Sequence, residues 1–74
     1  MRVTIIKQGV SPIDVFADDG TTQGEFFDRL AQEDEFSGAF QKTVNGMTVT
    51  MDSLSTELHN GDTITLSPKV VGGR

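Results

Sequence analysis

Apolar and polar residues alternate over the first seven positions. Val3 and Ile5 share one face and Arg2 and Thr4 the other, the period-two pattern of a half-buried strand, with Ile6 breaking the pattern by facing outward. Gln8-Gly9-Val10-Ser11 reads as a turn, and Pro12 suits the first residue of a strand, where its missing N–H removes least from the ladder. Ile13, Val15 and Ala17 then alternate with Asp14 and Phe16, so the segment up to Ala17 reads as a hairpin. Asp18-Asp19-Gly20 closes it. Thr22 followed by Glu25 has the spacing of a capping box, in which hydroxyl and carboxylate each satisfy a backbone donor at a helix start. From there the period lengthens. Phe26, Phe27, Leu30 and Ala31 fall on one helical face and Glu25, Asp28, Arg29 and Gln32 on the rest, which predicts a helix over residues 23–34. Gly24 falls near its start, where the entropic cost of glycine is smaller.

Residues 35–41 follow no regular period, with Phe36 and Phe40 expected as plugs over the core edge and Gly38 as a bend. Lys42-Thr43-Val44 runs into Asn45-Gly46, the strongest short hairpin signal, because both residues tolerate the positive φ of a type I′ turn. On the return strand Met47, Val49 and Met51 alternate with Thr48 and Thr50, which places the two methionines on the inward face. Leu54 and Leu58 suit a loop or one helical turn tucked against the core. His59-Asn60-Gly61-Asp62 is a tight turn, and Thr63-Ile64-Thr65-Leu66 a last strand with Ile64 and Leu66 inward. Pro68 breaks the pattern before Lys69-Val70-Val71-Gly72-Gly73-Arg74. The element order predicts an α+β domain over residues 1–67, a mixed sheet of four to five strands crossed by one helix, with a C-terminal tail over residues 68–74.

Composition narrows the chemistry. A chain of 74 residues forms one domain with a thin core, and an enclosed pocket of several hundred Å³ is not expected in it. The absence of cysteine excludes a disulfide framework, a thiolate metal site and a cysteine nucleophile. A net charge of −5 opposes binding to a phosphate backbone, so nucleic acid is not an expected partner. No run approaches the ~20 apolar residues of a membrane span and no signal-peptide pattern opens the chain, so a cytoplasmic location without membrane attachment is expected. His59 reads as a solvated turn residue. Asp18-Asp19 and Glu33-Asp34-Glu35 lack the alternating oxygen spacing of a calcium loop and read as solvated charge, the second run placed unfavourably against the dipole at a helix C-terminus. No bound metal or cofactor is expected.

Val44-Asn45-Gly46, Leu54, Leu58, Gly61-Asp62, Ile64, Leu66, Pro68, Val70 and Gly72-Gly73 together resemble the β-grasp sulfur carriers, a family that includes the small subunit of molybdopterin synthase and the thiamine-pathway carrier and is similar in fold to ubiquitin. The resemblance implies a protein substrate and not an enzyme. An ATP-using activating enzyme would adenylate the carboxylate of Gly73. A sulfur donor would then convert it to a thiocarboxylate, or an enzyme cysteine would take it as a thioester on the way to an isopeptide bond with a lysine. The implied partners are that adenylating enzyme and a conjugating enzyme or sulfur-accepting synthase, the chain being a monomer when free. The residue types suit the step. Gly72 and Gly73 lack a Cβ and can thread a narrow channel, Val70 and Val71 can grip an apolar groove, and Pro68 stiffens the exit from the body. Arg74 departs from the pattern, since it leaves the Gly73 carbonyl as an amide, and implies a protease acting between Gly73 and Arg74. The alternative is a noncovalent adaptor that binds a partner with the outer sheet face, where Ile6 and Phe16 point away from the expected core. Lys7, Lys42 and Lys69 are candidate acceptors if copies of the chain are joined.

Overall fold

The computed structural model of the protein describes residues 1–36, 38 and 40–68. Strands β1 (Arg2–Lys7) and β2 (Val10–Phe16) precede helix α1 (Gln23–Leu30), and β3 (Phe40–Val44), β4 (Met47–Thr48), a 3₁₀ turn (Asp52–Ser55) and β5 (Thr63–Pro68) follow it. The five strands form one mixed sheet in the order β2-β1-β5-β3-β4, as the alternating segments predict. The last strand is the middle one. β5 runs parallel to β1 and antiparallel to β3, which sets Ile64 between Ile5 and Val44 in one row across three strands. These residues, with Val3 and Leu66, face Phe26, Phe27 and Leu30 of α1, and Ala17 and Leu58 close the core.

The capping box forms as predicted: the Glu25 amide donates to Thr22 Oγ1 at 3.3 Å and the Thr22 amide to Glu25 Oε1 at 2.9 Å. The hydrogen bonds from the Thr22 backbone and side chain hold the Glu25 carboxyl below the usual carboxylate range. Gly24 has a second reason to be glycine. A Cβ there would lie 3.1 Å from the Leu54 carbonyl oxygen, so any other residue would push α1 and the 3₁₀ turn apart by a few tenths of an ångström.

Several expectations are corrected. The first turn is shorter than the sequence implies. β2 already begins at Val10, and Pro12 lies inside it, tolerated because β2 is an edge strand whose register with β1 shifts between Ile5 and Lys7. The helix ends at Leu30 and not at Asp34. Arg29 is the basic residue of its last turn, and the acidic run Glu33-Asp34-Glu35, which the helix dipole disfavours, falls outside it. The chain leaves through i to i+3 bonds from the amides of Gln32 to Arg29 and Glu33 to Leu30, which leaves Ala31 exposed. β4 has only two residues, so the alternation stops at Thr48, and Met47 on this edge strand and Met51 at the start of the 3₁₀ turn are 76% and 86% exposed instead of inward. β5 runs on to Pro68, which pairs with Phe40.

Candidate functional site

β5 holds the part of the body from which the tail departs. It is paired on both flanks through Leu66, opposite Lys7 on β1 and Lys42 on β3, and on the β3 side through Pro68. Val70, Val71, Gly72, Gly73 and Arg74, with Lys69, lie outside the described residues. Next to the end of β5, the Lys7 ammonium donates to the Glu35 carbonyl oxygen and sits 5.7 Å from the Phe36 ring centroid and 5.2 Å from that of Phe40. The Lys42 ammonium lies 5.7 Å from the Phe27 ring. Two of the candidate acceptor lysines are thus engaged over aromatic faces.

At the opposite end of β5 the two halves of the sequence motif meet. Asn45 at φ 51° and Gly46 at φ 85° make the tight turn between β3 and β4. The Asn45 side chain does more than permit that turn. Its Nδ2 donates to Asp62 Oδ1 at 2.9 Å, and its Oδ1 accepts from the Thr63 amide at 2.9 Å. Asp62 Oδ2 in turn accepts from the His59 amide at 2.7 Å. Val-Asn-Gly and Gly-Asp therefore belong together because the asparagine pins the hairpin tip to the first residue of β5. Asn45→Ala is expected to destabilise the domain by about 2–3 kcal/mol, through the lost bonds and the positive φ, whereas Asn45→Gly keeps the φ and costs about 1 kcal/mol. Urea denaturation of the two variants separates these contributions.

The outer sheet face is dominated by hydroxyl side chains. Ile6, Thr65, Thr43 and Thr48 stand in register across four strands, and Thr4 donates to Asp14 Oδ1 at 2.9 Å. Ile6 is 40% and Phe16 72% exposed on this face. They do not form one patch. Phe16 is opposite Arg2, and Ile6 lies further along β1, about 13 Å away at about 3.3 Å per residue.

No protein-family model matches the chain, and no curated protein matches it in sequence. Solved structures match over nearly its whole length. A chain of the complex of subunits 1 and 2 of molybdopterin-converting factor from Helicobacter pylori 26695 is similar with a TM-score of 0.70 and 26% identity, covering 99% of this chain and 100% of that one. SAMP1 from Haloferax volcanii is similar with a TM-score of 0.69 and 20% identity, covering 99% and 100%. A ubiquitin-like protein from Caldiarchaeum subterraneum is similar with a TM-score of 0.63 and 18% identity, covering 97% and 100%. The fold is the β-grasp fold. The resemblance to sulfur carriers and ubiquitin-like proteins read from the sequence is shared by the structure as a whole.

An open groove of about 520 Å³ lies between α1 and β3, lined by Phe27, Phe36, Phe40, Val49 and Leu54, with Asp28 and Lys42 among its polar members. The chain has no cysteine, and His59 is not among the lining residues. Sequence reasoning missed the engagement of Lys7 and the bridging role of Asn45. Lys7 carried a signal, since it continues the inward period of Val3 and Ile5.

Proposed function

We propose that the protein is a ubiquitin-like carrier or modifier whose reactive group is the Gly73 carboxylate, exposed by removal of Arg74. The carboxylate attacks the α-phosphorus of ATP within a partner adenylating enzyme, forming the acyl adenylate and releasing pyrophosphate. A sulfur nucleophile then displaces AMP. A sulfide equivalent leaves a thiocarboxylate for a sulfur-accepting synthase, and an enzyme cysteine leaves a thioester that a target lysine converts to an isopeptide. The chain supplies a substrate, not a catalyst, and binds no cofactor of its own.

The observation that carries this reading is the place of β5. The strand before the diglycine is the central one of a β-grasp sheet, locked at its start by Asn45 and Asp62 and paired on β3 through Pro68. Such a body holds the root of the tail while the residues after it enter another protein's active site, where a carboxylate must be aligned with phosphorus. Likeness over nearly the full length to a chain of a molybdopterin-converting factor complex and to SAMP1 supports the same reading.

The test uses the chain ending at Gly73 with an adenylating enzyme and ATP. Intact mass is expected to show the glycyl adenylate, or the thiocarboxylate when a sulfur donor is added, and the chain retaining Arg74 is expected to show neither. Absence of both products, with the enzyme active on another carrier, overturns the proposal. A noncovalent adaptor is the second reading, favoured by the 72% exposure of Phe16 on the outer face.

A further inference from the structure

We infer that Lys7 is a positioning residue that fixes the end of β5, the strand that precedes the reactive terminus; the inference rests on the activation reading above. Lys7 ends β1 on the helix-facing side of the sheet, in period with the buried Val3 and Ile5. A cation at that place would ordinarily reach for solvent. Here its head group is met by the Glu35 carbonyl and by the rings of Phe36 and Phe40. The ammonium thereby ties the connection after α1 down onto β1.

That connection ends in β3, and the first residue of β3 is the one that faces the last of β5. Phe40 is at once a wall of the lysine's seat and the partner of Pro68, and Lys7 itself stands opposite Leu66. The charge at position 7 thus reaches the end of β5 by two routes, through the β1 backbone and through the Phe40 ring. Lys42 has no equivalent place. Its ammonium lies over Phe27 of the helix, and it flanks Leu66 from the β3 side. Removing the Lys7 ammonium frees Phe36 and Phe40 to move and loosens the pairing of Phe40 with Pro68. The end of β5 is then held less firmly, so a smaller fraction of encounters with the adenylating enzyme is productive.

The test compares Lys7→Met, Lys7→Gln and Lys7→Arg in the chain ending at Gly73. Lys7→Met is expected to raise amide hydrogen exchange about tenfold at residues 40–42 and 66–67, leaving Val3 and Ile5 within about twofold. In the activation assay, run well below the melting temperature, KM for the chain is expected to rise about five- to tenfold with kcat unchanged. Lys7→Arg, which keeps the cation and a donor, is expected to restore both readouts. If Lys7→Met does not fold, the same comparison is made with Lys7→Gln. Exchange that rises uniformly over the sheet, or a KM that does not move, overturns the inference. If the unsubstituted chain is not activated by an enzyme active on another carrier, the activation reading fails by itself, and the local exchange pattern still decides whether the clamp exists.

Discussion

Phe26→Ala is expected to destabilise the domain by about 3–5 kcal/mol, the usual range for removing a buried phenylalanine. Phe26 is 2% exposed and is among the largest side chains of the core, in edge-to-face contact with Phe27 at 6.1 Å between ring centroids. A chain of 74 residues has a total stability of about 4–11 kcal/mol, so this one change removes a large share of it. The melting temperature is expected to fall by roughly 15–30 °C, given about 4–8 °C for each kcal/mol in a domain of this size. Met47→Ala and Met51→Ala, at the two most exposed methionines, are the controls and are expected to stay within about 0.5 kcal/mol. Thermal and urea unfolding followed by circular dichroism check both. If Met47→Ala costs as much as Phe26→Ala, the placement of the core is wrong.

Gly73→Ala is expected to lower adenylation of the trimmed chain by at least about 100-fold, equivalent to about 2.7 kcal/mol of transition-state stabilisation. The added methyl narrows the backbone angles open to the terminal residue and meets the walls of a site shaped for glycine, so the carboxylate is displaced from its line of attack. Gly73 lies outside the described residues that form the core, and the unfolding curve of the variant is expected to superimpose on that of the parent. ATP–pyrophosphate exchange measures the effect directly. The adaptor reading predicts the opposite pairing of results, with partner binding by Gly73→Ala unchanged and binding by Phe16→Asp lost.

The root of the tail was less legible in the chain than the tail itself. Gly72-Gly73 stands out as a candidate by residue type alone, since two residues without Cβ suit a narrow channel. The lysine seat joins Lys7 to Glu35 across a separation of 28 residues, and the hairpin lock joins Asn45 to Asp62 across 17. No local period signals such contacts. Asn45 was read as a turn former and turned out also to be a bridge, because its turn preference and its bridging use the same side chain.

What the sequence determined by itself is what local sterics and periodicity govern: the inward sets of β1 and β5, the capping box at Thr22 and Glu25, the Asn45-Gly46 turn, and the order of elements that predicts a mixed sheet under one helix. What the tertiary structure decided depends on which surfaces meet. Pro12 is acceptable inside β2 only because that strand is at an edge, Met47 and Met51 are exposed because the alternation stops with the short edge strand β4, and Gly24 is favoured by the close approach of Leu54. The end of α1 lies between the two, with the acidic run visible in the sequence and the stop at Leu30 visible only in three dimensions. Local preferences are set by each residue and its near neighbours, whereas edge, exposure and close approach are properties of the assembled sheet.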